Sequence, residues 1–144
     1  MHNVYIQLVE QTTPGLLDYI VAWNESVLPG TMLNVPTLEH HLGNGSGRLY
    51  LALTGPGGTP VGYAVVSWKE EIFDILYLGI MPFLRGRGYG KAVIGELIDE
   101  AEKLGAQSVQ LEVEKSNETA VKLYKGAGFR LEALTPMSYV LCRP

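Results

Sequence analysis

Cysteine is almost absent from this chain of 144 residues: Cys142 stands alone. One thiol closes no intrachain disulfide and supplies no cysteine zinc site, so neither staple is expected and a reducing cytoplasm suits the protein. Long apolar runs are missing too. The longest, residues 75–81, falls far short of the roughly 20 that cross a bilayer, and residues 1–5 carry neither a basic stretch nor an apolar one of signal-peptide length. Export and membrane insertion are therefore not expected. Basic residues are few: 11 Lys+Arg against 15 Asp+Glu leave a formal net charge of -4, too acidic for a protein whose main task is neutralising nucleic-acid phosphates. Repeats, low-complexity tracts and interdomain linkers are also lacking. What remains, 47% hydrophobic and 18% charged, is the composition of one ordinary globular domain, expected over residues 1–144.

Charge is unevenly placed. Residues 1–68 hold Glu10, Asp18, Glu25 and Glu39 against Arg48 alone, whereas residues 75–95 hold Arg85, Arg87 and Lys91 with no acid. The second stretch suggests a local anion site.

Residues 4–9 alternate as a strand, and Thr13-Pro14 opens a helix to about Trp23 with Leu16, Leu17, Ile20 and Trp23 on its apolar face. Residues 36–42 read as a short second helix, followed by the flexible turn at 43–47. Residues 48–54 and 61–68 form a hairpin across the Gly- and Pro-rich turn at 55–60. Residues 72–81, apolar but for Asp74, predict a central strand buried on both faces and ended by Pro82, with Gly79 as a candidate bulge. Val93, Ile94, Leu97, Ile98, Ala101 and Leu104 recur at helical spacing, and Lys103 and Gly105 supply the stop. Residues 108–114 place Val109, Leu111 and Val113 on one face and Gln110, Glu112 and Glu114 on the other. Asn117 caps a helix to Ala127, closed by Gly128, and residues 129–133 and 138–142 are closing strands. Strands 72–81 and 108–114, joined by the long helix, make a βαβ crossover; the other strands pair as antiparallel neighbours. The expected class is α/β (α+β): a mixed, mostly antiparallel sheet of about seven strands carrying about four helices.

Arg85-Gly86-Arg87-Gly88-Tyr89-Gly90-Lys91 lies between the buried strand and the long helix. The first N–H groups of a helix lack intrahelical partners and the dipole there is positive, so a glycine-rich approach makes a phosphate cradle to which Arg85, Arg87 or Lys91 adds charge. Two other phosphate loops fail. A Walker A loop needs Gly where Arg85 stands and Ser or Thr where Ala92 stands, and the dinucleotide fingerprint finds Lys91 or Val93 at its last glycine.

These residues resemble the GNAT N-acetyltransferases, whose motif at this junction is Arg or Gln, two residues, Gly, one residue, Gly or Ala. Arg85, Gly88 and Gly90 match it. The resemblance runs upstream through Leu78-Gly79-Ile80 and Met81-Pro82. Downstream it includes Leu111-Glu112-Val113, Asn117, Ala120, Leu123-Tyr124 and Gly128-Phe129, so residues 72–131 match in order. Locally, Leu-Glu-Val is similar to members that acetylate protein amino termini. The resemblance implies acetyl-CoA as co-substrate and no metal. Its pyrophosphate would lie on the backbone of Arg85, Gly86, Arg87, Gly88, Tyr89, Gly90 and Lys91, and its pantetheine arm along Leu78, Gly79 and Ile80, in a slot where the central strand and the next one splay apart. A bulge near Gly79 would re-aim a ladder N–H toward the thioester carbonyl. An acceptor amine would attack directly, through a tetrahedral oxyanion, with the CoA thiolate leaving.

Tyr124 matches the family's acid tyrosine; otherwise it is a core aromatic on a helix stripe. Its phenol, with an ordinary pKa near 10, stays protonated at neutral pH and would protonate the thiolate. Asn117 can cap its helix, contact the cofactor, or do both. Glu112 resembles a proposed base, against the plainer reading of a solvated strand residue; Asp74, Glu71 and Glu70 are rivals. His40-His41 is not expected to hold a metal, because adjacent helical residues point about 100° apart and no third ligand is near in sequence. Tyr19, Trp23, Asn24 and Glu25 are candidates for the acceptor pocket, or simply core.

The reading is an acetyl-CoA-dependent N-acetyltransferase acting on a small amine or a peptide amino terminus, with no nucleic-acid or membrane partner. The net charge favours a cationic acceptor. The alternative is a non-catalytic acyl-CoA-binding or sensing module. The family often dimerises, and Tyr139-Val140-Leu141 reads either as a homodimer contact or as an ordinary strand.

Overall fold

A computed structural model describes residues 4–11, 13–27, 34–43, 45–54, 58–80 and 88–144, with the side chains of residue 14 and residues 23–27 outside that set. Its elements follow the chain as β1 (Val4–Leu8), α1 (Pro14–Val27), α2 (Val35–Gly43), β2 (Gly47–Thr54), β3 (Pro60–Lys69), β4 (Ile72–Ile80), α3 (Tyr89–Leu104), β5 (Ser108–Glu114), α4 (Glu118–Gly126), β6 (Arg130–Leu134) and β7 (Ser138–Arg143). The seven strands form one sheet ordered β1-β2-β3-β4-β5-β7-β6. Every neighbouring pair is antiparallel except β4 and β5, which run parallel across the α3 crossover. This is the expected mixed sheet with four helices. Among the described residues no helix is long and apolar enough to cross a membrane.

Local chemistry explains where the helices start. Thr13 Oγ1 accepts the Leu16 N–H at 3.2 Å, Asn34 Oδ1 that of Thr37 at 2.9 Å, and Asn117 Oδ1 that of Ala120 at 3.2 Å, each satisfying a first-turn donor. α3 opens differently, on Gly88 in the left-handed region (φ 86°), with no side-chain cap. α1 runs to Val27 rather than stopping near Trp23, because no breaker precedes Pro29. β3 and β4 join through a tight two-residue turn, Glu70-Glu71, whose positive φ values of 54° and 66° are normally taken by Asn-Gly.

The sheet is packed on both sides. On one face Val93, Ile94, Leu97, Ile98 and Ala101 of α3 and Val121 of α4 meet Val66, Phe73, Ile75, Val109, Leu111, Val113 and Leu141. On the other, Leu17 and Ile20 of α1 and Leu38 of α2 meet Leu49, Tyr63 and Val65. The hydroxyl of buried Tyr50 reaches Glu100 of α3 at 2.8 Å, fastening β2 to that helix. Leu141 is fully buried and β7 pairs on both sides, so Tyr139-Val140-Leu141 forms a strand of the sheet, with Tyr139 and Val140 half-buried.

The bulge is not at Gly79. That residue pairs in register with Tyr63; the shift falls between the Val65–Tyr77 and Val66–Ile75 pairs, leaving Leu76 as the extra residue of β4. The inserted residue changes which positions face which layer: Phe73 and Ile75 before it, and Leu78 and Ile80 after it, all pack on the α3–α4 side. Gly79 answers a different demand. A Cβ there would stand 2.7 Å from Cε1 of Tyr63, a ring with 1% exposure and no room to retreat. Gly79→Ala is therefore expected to destabilise the fold by about 1–3 kcal/mol through overpacking. In a Tyr63→Ala background, chemical denaturation should find most of that penalty gone, whereas an undiminished penalty would place the strain elsewhere.

Candidate active site

β4 and β5 begin as partners and then part. Their parallel register runs from Ile72–Ser108 through Phe73–Val109 and Asp74–Gln110 to Ile75–Leu111 and goes no further. Beyond it β4 stays with β3, and β5 stays with β7. The bulge at Leu76 sits at this divergence and supplies the extra twist that turns β4 aside. Between the diverging strands, backbone groups that would have continued the ladder face a gap. Such groups need partners.

Of the predicted cofactor residues, Leu78, Gly79 and Ile80 lie along this fork, Gly88, Tyr89, Gly90 and Lys91 at the start of α3, and Asn117 and Tyr124 at the cap and on the helix of α4. Leu78 and Ile80 pack into the core on the α3–α4 side, and Gly79 is buried between them. Arg85, Gly86 and Arg87, with Met81 and Pro82, lie outside the described residues. Gly88, Tyr89, Gly90 and Lys91 form the cap and first turn of α3, where Lys91 is exposed and Tyr89 half-buried. The left-handed cap bends the chain into the helix without a side chain that would compete for the first-turn N–H groups. A Cβ on Gly90 would lie 3.4 Å from Cδ2 of Leu123, so α4 abuts this same turn.

Tyr124 follows Leu123 on α4 and packs into the α3–α4 layer, its ring edge-on to Phe129 at 5.9 Å between centroids. Burial raises its phenol to about 12, which keeps it a proton donor at neutral pH. Asn117 is exposed and caps α4, so the capping role is real.

Glu112 lies on the opposite side of the sheet. Val109, Leu111 and Val113 of β5 point into the α3–α4 core, while Gln110, Glu112 and Glu114 alternate outward. There Asp74, Ile75, Leu76, Gln110, Leu111, Glu112 and Val140 line a cleft of about 250 Å³ at the base of the fork. Asp74 is half-buried. Desolvation first, and then the nearby Glu112 charge, push its carboxyl above the ordinary 3.8. A second cleft of about 210 Å³, lined by Ser67, Lys69, Glu70, Ile72, Asp74 and Gln110, adjoins the first through Asp74 and Gln110. Of the three rivals to Glu112, Asp74 thus shares its cleft, and Glu70 lies one cleft away in the β3–β4 turn. Glu71 is exposed in the same turn and contributes its backbone carbonyl to Gln107 N–H at 2.8 Å.

The remaining candidates are dispersed. Tyr19 is 54% exposed on α1 and is not core, while the side chains of Trp23, Asn24 and Glu25 lie outside the described residues. His41 packs edge-on against Tyr77 of β4, with ring centroids 5.8 Å apart. Among the described residues no group of His, Cys, Asp and Glu is arranged for a metal. Sequence reasoning missed Gln110 and Val140 as cleft-lining residues. Their signal is the alternation of β5 combined with its pairing to β7, and the pairing is not legible before the fold is known.

The family model for the Acetyltransferase (GNAT) family matches residues 17–129. The uncharacterized N-acetyltransferase YvbK of Bacillus subtilis is 25% identical over 134 residues, 93% of this chain and 79% of that protein. The [ribosomal protein bS18]-alanine N-acetyltransferase of Escherichia coli is 31% identical over 96 residues, 65% of this chain and 64% of that protein. Others are much longer: the match covers 23% of a Mycobacterium leprae relative. Among solved structures, the Escherichia coli ribosomal-protein-S18-alanine N-acetyltransferase superposes with a TM-score of 0.81 at 20% identity, covering 98% of this chain and 93% of that one. A Bacillus subtilis acetyltransferase in complex with CoA gives 0.75 at 20% identity, with 97% of each chain covered.

The raised carboxyl of Asp74 has a consequence for stability. A folded-state pKa above the unfolded one means the native protein binds the proton more tightly. Native stability therefore falls as pH rises from the unfolded value through the folded one, and stays lowered above it. Asp74→Asn is expected to raise stability at neutral pH, with the gain shrinking as pH falls from the raised folded value through 3.8 and gone below it. Urea denaturation across pH reads this directly, and a gain that is independent of pH would contradict it.

Proposed function

The chain belongs to the GNAT acetyltransferase family, and on that premise we propose that it is an acetyl-CoA-dependent N-acetyltransferase passing an acetyl group directly to a primary amine of a small molecule or peptide amino terminus. The observation that carries this reading is the fork between β4 and β5, with Tyr124 in the layer on one side and Glu112 in the cleft on the other. The residues present fit the co-substrate. The left-handed Gly88 and the first turn of α3, with Tyr89, Gly90 and Lys91, support a cradle for the pyrophosphate, to which the sequence motif adds Arg85, Gly86 and Arg87 from outside the described residues. The free ladder edges of the fork at Leu78, Gly79 and Ile80 match the amides of a pantetheine arm. When bound there, acetyl-CoA supplies an activated acyl thioester.

The chain's own residues then divide the work. Backbone N–H groups of β4 at the fork polarise the thioester carbonyl and stabilise the oxyanion that forms on attack. Glu112, open to water on the acceptor side, takes the proton that the acceptor's ammonium must lose, directly or through an ordered water. Tyr124 returns a proton to the sulfur as it leaves. Burial keeps its phenol protonated ahead of that step. Asn117 orders the start of α4 and thereby the approach of Tyr124. Acetylation of an alanine amino terminus by the bS18 enzyme, a protein similar over 65% of this chain, supports a peptide amino terminus as one acceptor class. Residues 1–144 form one catalytic domain in this reading, working in the cytoplasm.

Release of free thiol from acetyl-CoA across a panel of amines and amino-terminal peptides tests the proposal, with CoA binding followed by calorimetry. Tyr124→Phe should slow turnover by about tenfold or more while leaving CoA affinity nearly unchanged. Unaltered turnover would remove Tyr124 from the chemistry, and binding without thiol release from any acceptor would favour an acyl-CoA sensor.

A further inference from the structure

We propose that Asp74 is a specificity determinant of the acceptor side: its carboxylate, beside Glu112 in the cleft at the base of the fork, anchors the acceptor as an ammonium ion and selects amines that arrive protonated. This rests on the transferase reading above and adds to it a residue and a substrate class.

Placement is the first argument. Asp74 is in register with Gln110, and Glu112 lies two residues along β5 on the same face, so the two carboxylates are diagonal neighbours across β4 and β5. Both line one cleft, and the Glu112 charge acts on the Asp74 carboxyl, so an ammonium with three donors can be shared between them. The cleft of about 250 Å³ holds an aminomethyl group and several more atoms. It also opens on the face away from Tyr124, where an acceptor arrives without displacing the acyl donor.

Electrostatics is the second. The groups facing Asp74 are Ser67, Lys69 and Glu70 from β3 and its turn, and Gln110 and Glu112 from β5. Among the described residues no cation stands within 4.0 Å of either Asp74 or Glu112, the recorded ion pair being Arg143 with Glu102. Burial and the neighbouring Glu112 charge both oppose ionisation of Asp74. A cation in the cleft relieves both effects at once. An asparagine would pack there at lower cost to the fold, so the carboxylate is a stability liability that binding an ammonium explains.

The kinetic form of the effect follows from timing. Asp74 contacts a positive charge that is present in the bound ground state and gone once the nitrogen has been deprotonated for attack. Its loss should raise the acceptor KM and raise kcat with it, leaving kcat/KM little changed.

The test uses the CoA-loaded protein and two probes of opposite charge state at neutral pH: n-butylamine, which is protonated, and 4-methoxyaniline, which is not. Binding is followed by the NMR shifts of residues 74, 110 and 112. In Asp74→Asn the affinity for n-butylammonium is expected to fall by about tenfold or more, with 4-methoxyaniline and CoA binding unchanged. For any alkylamine that is turned over, the loss should appear in KM. Equal affinity of both proteins for n-butylammonium overturns the proposal, as does equal weakening of the neutral probe or no ammonium binding by CoA-loaded wild type. Failure of CoA itself to bind marks a different error, since it removes the transferase reading first.

Discussion

Two parallel strands that share a ladder for four residue pairs and then separate are the constraint around which this protein is organised. A parallel pair buried in the middle of a sheet ordinarily continues, because each unmatched backbone group there costs free energy. Here β3 and β7 hold β4 and β5 from their outer sides, and the extra residue at Leu76 bends β4 away. The pairing of β4 with β3 and of β5 with β7 thus holds the gap open. Gly79 belongs to the same solution: its missing Cβ lets the buried Tyr63 ring lie across the diverging strand.

The fork also joins two unlike environments. On the α3–α4 side it meets an apolar layer in which burial pushes the Tyr124 phenol up and keeps it protonated at neutral pH. On the other side α1 and α2 cover β2 to β4, and Gln110, Glu112 and Glu114 of β5 line a polar surface instead. An acid in a dry layer and carboxylates in a wet cleft, separated by one sheet thickness, suit a reaction that takes a proton from an amine and delivers one to a sulfur. The raised Asp74 carboxyl shows that this polarity is held against the stability of the fold.

Much of this was legible in the chain, for identifiable reasons. The apolar spacing of Val93, Ile94, Leu97, Ile98 and Ala101 and the alternation of residues 108–114 report burial directly, and both elements lie where the periodicity places them. Asn117 as a cap follows from local chemistry and is observed. The bulge was displaced because a glycine in a strand has two causes, a bulge or a close approach. Only the position of the Tyr63 ring, set by pairing with a strand fifteen or so residues earlier, separates them. The β3–β4 turn carries no turn residues at all, since Glu70-Glu71 adopts positive φ against its own preference, and no local pattern announces it. Asp74 appeared as a lone charge in an apolar run. Its meaning emerges once β5 brings Glu112 alongside, which is a long-range pairing.

The central claim, that the parted edges of β4 and β5 are completed by an extended ligand, is most directly tested by amide hydrogen exchange with and without CoA. The account predicts that amides within residues 76–80 and 112–114 slow on CoA addition, while those of residues 72–75 and 108–111, already in the shared ladder, change little. Protection that appears elsewhere and leaves the fork exchanging as before would contradict it.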